Sequence, residues 1–278
     1  MEDAVTEILA FLSSHNGEDF HSYSKDLVGK RVTERATQLS MTDLKAYSGF
    51  LYNDPDEPAT LARMLRIRFS RFFRDPLQFE ILGSIIIPSM LRDCTSGLFR
   101  VWSAACASGE EPYSLAIILD EALQNIDVKP RVQIFATDIA EDALDEARRG
   151  RYLPGSLGDA TLQRINNYFT PEKNGYQIIG KIRDMVTYSH HDLLDQRIYA
   201  PQESIFGGFD LLLCRNFLMY LDAEASSRVF DNLFKALNPE GVILLGNAET
   251  IPARYESYLE RVVPCGNLFR KTTKQRRG

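Results

Sequence analysis

Residues 99–116 read FRVWSAACASGEEPYSLA: an apolar run, a short loop around Gly109, then a stretch with helical spacing. An α/β protein binds its ligand at such a place, where a strand ends and a helix begins. Loops that hold a pyrophosphate usually carry several glycines, so that backbone N–H groups can reach the phosphate oxygens. This loop has one, and Glu110 and Glu111 stand where a phosphate would be repelled. The pattern speaks for a strand–loop–helix unit and against a phosphate-bearing ligand.

Working outward, further strand candidates are RVQIFATD (131–138), MVTYSHH (185–191), FDLLLC (209–214) and GVILLG (241–246), with amphipathic helices at 112–124, 139–148 and 223–237. Apolar runs alternating with helices predict a parallel sheet covered on both faces. YLERVVP and NLFRKTT flank Cys265-Gly266 and read as an antiparallel hairpin. A doubly wound sheet that ends in such a hairpin has the shape of an S-adenosylmethionine-dependent methyltransferase, whereas dinucleotide dehydrogenases more often stay parallel. Residues 160–190 break the alternation. A helix, the turn signal Asn174-Gly175 and the short runs YQII and MVTY predict a small antiparallel insertion before the third core strand. Residues 1–50 read as helices: Val5, Ile8, Leu9 and Leu12 share one face, and a second helix follows a cap at Thr42. NDPDEP (53–58) reads as a turn or linker.

The chain has 278 residues and a net charge of −6, which argues against a nucleic-acid binder while leaving room for a local basic face. Its four cysteines form no CxxC pair, and they read as buried reduced thiols. The four histidines have no zinc-type spacing, so no metal is expected. No apolar run approaches the ~20 residues that cross a bilayer. The acidic start MEDAVTEIL is no signal peptide, so membrane insertion is not expected and the cytoplasm is.

Polar residues just beyond the strands are the site candidates. Asp138 can accept from both hydroxyls of a ribose, or it can cap the helix begun by DIAE. Asp192, in HHDLL, can accept from an adenine amino group or close a turn. Arg215, Asn216 and Tyr220 follow the fourth strand at the mouth of the cleft; equally, Arg215 reads as an exposed cation and Tyr220 as a core aromatic. No Asn/Asp-Pro-Pro-Tyr sequence is present, against an amino-directed DNA methyltransferase. ARMLRIRFSRFFRD (62–75) interleaves five arginines with three phenylalanines. It reads as an amphipathic helix with a solvated basic face, as a cationic wall for carboxylates, or as a platform for single-stranded nucleic acid.

Taken together, RFFRDPLQF, VWSAACASGEEPYSLA, FATDIAEDALDEARRGRY, HDLL, FDLLLCRNFLMYLD and LGNAET resemble the CheR-type chemotaxis-receptor methyltransferases, in order and spacing, over nearly the whole chain. The resemblance implies a helical N-terminal domain (1–60) and a Rossmann-like class I methyltransferase domain (61–278) with a β-subdomain insertion at about 160–190. It implies a monomer that moves a methyl group from S-adenosylmethionine to glutamate carboxylates on the cytoplasmic helical bundle of a chemoreceptor. By position, Glu111, with Glu110 beside it, would contact the methionyl ammonium. Asp138 would hold the ribose, Asp192 and Leu193 would flank the adenine, and Arg215 with Asn216 would complete the pocket. Ser70 and Arg74 would close over the methionyl end, and Tyr220 would stand near the transferred methyl; Arg74 and Tyr220 are the catalytic candidates. A loop with one glycine and two acids suits such a cofactor, which has no phosphate and carries an ammonium and a sulfonium.

The chain departs from the family in two places. Where relatives often have Thr-Asn-x-Thr, this chain has IRFS (67–70), so Arg68 replaces the asparagine and Ser70 a threonine, and both are cofactor-binding candidates by position. The insertion's loop, PEKNGYQII, lacks the glycine-flanked extension that docks a receptor's C-terminal pentapeptide, and recruitment independent of that peptide is expected. The family's basic receptor-facing helix corresponds here to KDLVGKRVTERATQ, with Lys25, Lys30, Arg31 and Arg35 as candidate contacts. A glutamate carboxylate is already ionised at neutral pH, so the reaction needs no general base and the absence of a Ser/His or Cys/His arrangement is no obstacle. A protein that binds S-adenosylmethionine as a regulator or scaffold, without turnover, is the alternative reading.

Overall fold

The computed structural model describes residues 2–16, 20, 22–65, 70–204 and 208–272. Its chain divides into two units: Met1–Arg68 with Phe217–Arg228, and Phe69–Asn216 with Val229–Gly278. The sequence reading drew the boundary at residue 60 and assigned 217–228 wholly to the larger domain. Backbone bonds explain the difference: Ser24 N–H donates to the Tyr220 carbonyl (2.8 Å), Asp222 N–H donates to the Ser22 carbonyl (2.9 Å), and Tyr23 pairs with Leu221.

The first unit is helical. Its elements are α1 (Glu2–Asn16), α2 (Lys25–Gln38), α3 (Leu44–Asn53) and α4 (Glu57–Leu65). Residues at helical spacing, among them Ile8, Leu12, Val28, Val32, Tyr47, Leu51, Leu61 and Leu65, form one buried cluster. Asp43, not Thr42, caps α3: its carboxylate accepts from Lys45 N–H and satisfies one of the orphan donors of the first turn. NDPDEP spans the end of α3, a turn, and the start of α4.

In the second unit α5 (Pro76–Ile81), a π-helical turn (Leu82–Ile86) and α6 (Ile87–Arg92) lead into β1 (Leu98–Ala104) and α7 (Glu110–Leu123). There follow β2 (Arg131–Asp138), α8 (Glu141–Arg149), β3 (Arg151–Tyr152), α9 (Leu162–Tyr168), β4 (Phe169–Glu172), β5 (Gly175–Ile178) and α10 (Gly180–Arg183). The chain closes with β6 (Val186–His190), β7 (Phe209–Cys214), α11 (Ala223–Ala236), β8 (Leu237–Leu245), β9 (Leu259–Arg261) and β10 (Leu268–Lys271). Seven strands form one sheet in the order β6-β2-β1-β7-β8-β10-β9. The first five are parallel, and β10 is antiparallel to both its neighbours. This is the expected Rossmann-like sheet with a C-terminal hairpin. Alternation along β1 sends Phe99 and Val101 into the cluster that holds α7, while Trp102 stacks toward Phe209 on the other face. The chain runs outward through β1, β2 and β6, then returns to β7 beside β1, so the switch point lies at the carboxyl ends of β1 and β7.

The inserted sheet, β3-β5-β4, begins at residue 151 rather than near 160. Its first strand is two residues long, too short to show a period in the sequence. Residues 62–75 form no single amphipathic helix. Helix α4 ends at Leu65, and 70–75 is an irregular strap in which Phe73 (φ 54°) and Asp75 (φ 62°) adopt left-handed backbone. Phe72 and Phe73 are fully buried, and the Asp-Pro bond disfavours helix at residue 75. Cys106 and Cys214 are buried as expected, but Cys94 is half-buried and Cys265 exposed; all four are free thiols.

Candidate active site

Five of the seven described non-glycine residues with positive φ are Phe73, Asp75, Ala105, Ala107 and Asn216, in three segments that meet at the carboxyl edge of the sheet. Left-handed backbone costs an L-residue roughly 1–2 kcal/mol, so the surrounding structure must over-determine these segments. It does so with hydrogen bonds. Cys106 N–H donates to the Thr137 carbonyl (2.9 Å), and Ala107 N–H to Asp138 Oδ2 (2.8 Å). At Gly109 (φ 93°), a Cβ would lie 2.7 Å from both Ala147 Cβ and Tyr188 Oη, so no other residue fits.

Helix α7 begins immediately after Gly109, and its first turn carries Glu110 and Glu111, favoured there by the helix dipole. Glu110 is buried, accepts from Ser108 and from Ser70, and is pushed up from the ordinary carboxylate range by its burial. Glu111 points across to β1 and β7: Oε1 accepts from Ser103 Oγ (2.8 Å) and Oε2 from Arg215 Nη1 (3.1 Å). Burial raises its pKa too, against the lowering effect of Arg215 and Ser103; Glu249 adds a further upward push.

Asp138 ends β2, but it does not cap α8, whose N-cap is Ala140. Oδ1 accepts from Ala140 N–H (3.0 Å) while Oδ2 braces the Ala107 backbone, so the acid ties the loops after β1 and β2 together. Asp192 follows β6 and closes a turn by accepting from Leu194 N–H (2.8 Å), with Leu193 buried beside it.

Arg215 is not an exposed cation. Its side chain is 1% exposed, and it donates to Glu111, Asp75 Oδ2 (2.7 Å), the Arg74 carbonyl (2.8 Å) and Gln78 Oε1 (3.2 Å). Asn216 follows it in left-handed backbone; a Cβ on Gly246 would lie 2.8 Å from Asn216 N and from Glu249 Oε2, which fixes that close approach. Sequence reasoning missed Gln78, Asp75 and Glu249. A polar Gln78 set between Leu77 and Phe79 was the available signal.

Ser70 and Arg74 sit on the strap of this unit, half-buried. Tyr220 follows Asn216 by four residues but belongs to the helical unit, where it closes the turn Leu218–Tyr220. Arg68 lies outside the described residues. Among the basic candidates of α2, Lys25 and Lys30 are exposed and Arg31 pairs with Glu34 (3.0 Å). Arg35 differs: it is held by buried Glu57 through two bonds (2.8 and 2.6 Å), so it serves the bundle rather than offering a free contact. Among the described residues, no three His, Cys, Asp or Glu are grouped to hold a metal, and no helix is long and apolar enough to cross a membrane.

S-adenosylmethionine fits this donor set. Glu110, Glu111, Asp138 and Asp192 bring carboxylates to the crevice, and the guanidinium among them is already engaged, leaving an anionic site for a cationic, hydroxyl-bearing ligand.

Comparison with known proteins agrees. Residues 68–263 match the family model of the CheR methyltransferase SAM binding domain. The chain is 34% identical over 194 residues to a chemotaxis protein methyltransferase of Listeria innocua, covering 69% of this chain and 70% of that one. It is 29% identical over 241 residues to the Escherichia coli chemotaxis protein methyltransferase, covering 86% and 79%. An uncharacterized 104.1 kDa protein of Rhodobacter capsulatus is 30% identical over 250 residues, and there the match spans 90% of this chain but 26% of the relative. With its strand order, its acidic ligand loop and a match over most of its length, the chain belongs to the CheR methyltransferase family and carries that family's S-adenosylmethionine-binding domain.

Proposed function

We propose that the protein methylates side-chain carboxylates of glutamates on the cytoplasmic helical bundle of a chemoreceptor, giving γ-methyl esters, and that it works in the cytoplasm. The observation that carries this reading is the family match over residues 68–263, joined to similarity with relatives named as chemotaxis protein methyltransferases. The same similarity favours turnover over a scaffold role. S-adenosylmethionine, when bound, supplies a methyl group on a sulfonium that a carboxylate can take by direct displacement.

The chain's own residues then have to bind, orient and exclude water. Glu111 holds the ammonium end, with Glu110 buried behind it. Asp138 takes ribose hydroxyls, Asp192 and Leu193 flank the base, and Asn216 closes the pocket beside Gly246. Ser70 and Arg74 cover the methionyl end from the strap, with Arg74 orienting a carboxylate. Tyr220 stays the second catalytic candidate, on the resemblance. The attacking carboxylate, with a pKa of roughly 4.3, needs no base. Opposite charges vanish along the reaction path, so tight pairing of the ground state would slow it. In-line positioning supplies the acceleration instead, on the order of 7–11 kcal/mol in favourable cases.

The receptor surface is assigned to α2. Lys25 and Lys30 border an open groove of about 770 Å³ between α1 and α2, floored by Val5, Leu9 and Gly29. The test uses methyl-labelled cofactor, the purified chain and soluble chemoreceptor fragments, followed by mild alkali. Label that transfers to receptor and is released as methanol is the expected result. Label that resists alkali, or that appears on no receptor fragment, overturns the proposal.

A further inference from the structure

Gln78 is 3% exposed, on the short helix α5, next to Leu77, which points into solvent. A buried amide needs partners on both sides, and Gln78 has them: Oε1 accepts from Arg215 Nε at 3.2 Å, and Nε2 donates to Asn247 Oδ1. A guanidinium has five N–H donors in one plane. In Arg215, one Nη1 donor goes to Glu111, while Nη2 reaches Asp75 and the Arg74 carbonyl. Held by its Nη atoms alone, the planar fork could still tilt about the line that joins them. The bond from Gln78 to Nε fixes that tilt and so fixes how Nη1 meets Glu111.

We propose that Gln78 is a positioning residue for cofactor binding, acting through Arg215 on the Glu111 carboxylate. The inference rests on the reading that Glu111 contacts the cofactor. Gln78 also reaches the segment after β8, where Asn267 Nδ2 holds the Gly246 and Glu249 carbonyls (2.7 and 2.8 Å). One side chain therefore links the turn that opens α5 to the ends of both β7 and β8.

The test is calorimetric binding of S-adenosylhomocysteine to the full chain and its variants, each checked for folding by circular dichroism. Glu111→Gln establishes whether Glu111 contributes. Gln78→Met keeps the volume but leaves Arg215 Nε without its acceptor, and it should weaken binding ~5–30-fold. Gln78→Glu restores an acceptor oxygen and should bind within about threefold of wild type, a rescue that a purely structural role would not give. In an Arg215→Lys background, Gln78→Met should cost less than about twofold more, because the group it acts through is gone. Should Gln78→Met fail to fold, Gln78→Asn takes its place, being polar but too short to reach Nε. Wild-type affinity in Glu111→Gln would overturn the reading of Glu111 and this inference with it. Weakened Glu111→Gln alongside wild-type affinity in Gln78→Met would overturn this inference alone. An equal loss in the Arg215→Lys background, or no rescue by Gln78→Glu, would also overturn it.

Discussion

In the helical unit, Glu57 accepts from Arg35 through both carboxylate oxygens and from Tyr47 Oη (2.8 Å). In the sheet unit, Glu111 accepts from Arg215 through one oxygen and from Ser103 through the other. Both acids are largely withdrawn from water, with side chains 4% and 13% exposed. The number of donors separates them. Glu57 meets a bidentate fork and a hydroxyl, the arrangement of a carboxylate whose work is to hold helices together. Arg215 divides its donors among Glu111, Asp75, Gln78 and a carbonyl, so Glu111 keeps acceptor capacity and a raised pKa. The clamp is saturated within the fold. Glu111, the acid proposed to hold the ammonium, keeps room for a cation.

The largest way to break this comparison is to remove the clamp. Arg35→Ala leaves Glu57 and Tyr47 buried together, and loss of one partner of a buried pair costs about 3–5 kcal/mol. Because Arg35 is 19% exposed and partly solvated, about 2–4 kcal/mol is the expected loss, read from urea unfolding. A loss below about 1 kcal/mol would class Arg35 with the exposed cations of α2.

Glu111→Gln should behave in the opposite sense. Arg215 retains Asp75, and the substituted side chain loses a charge that burial already disfavours, so the unfolding midpoint of the unliganded protein should hold or rise. Affinity for S-adenosylhomocysteine should fall ~10–100-fold, the scale of a charge-assisted hydrogen bond to an ammonium. A midpoint that falls as in Arg35→Ala, with affinity kept, would make Glu111 a clamp as well.

Much of this was legible in the sequence, and what was not has a common cause. Apolar runs revealed the five parallel strands, and Cys265-Gly266 revealed the final hairpin. The single-glycine loop with its two acids points by itself to a ligand without phosphate. The strap at 70–75 misled because its Arg/Phe spacing mimics a helix, whereas Phe72 packs edge-on against Tyr152 and Phe169 of the inserted sheet. For Asp138 the sequence left a helix cap open beside the ribose reading, because a local turn and a brace to a neighbouring loop begin with the same residue. The partners of Arg215 and Gln78 lie more than a hundred positions away, beyond the reach of any local period.

The smallest effect expected is the one with pH, and it sharpens the contrast most. Burial raises the pKa of Glu110 and Glu111, so across the window above the ordinary carboxylate value the unliganded native state binds more protons than the unfolded chain. Their contribution to stability is complete below that ordinary value and is lost as pH rises through the raised values, opposite in sign to a salt-bridged acid whose pKa is depressed. A ligand ammonium reverses the preference, because it is held best by the ionised carboxylate. S-adenosylhomocysteine should therefore bind more tightly, and raise the unfolding midpoint further, as pH increases from about 5 to 7. In Glu111→Gln most of that pH dependence should disappear, leaving the weaker contribution of Glu110. Affinity that stays flat across this window in the wild type would mean that Glu111 is ionised throughout, with Arg215 and Ser103 already outweighing its burial.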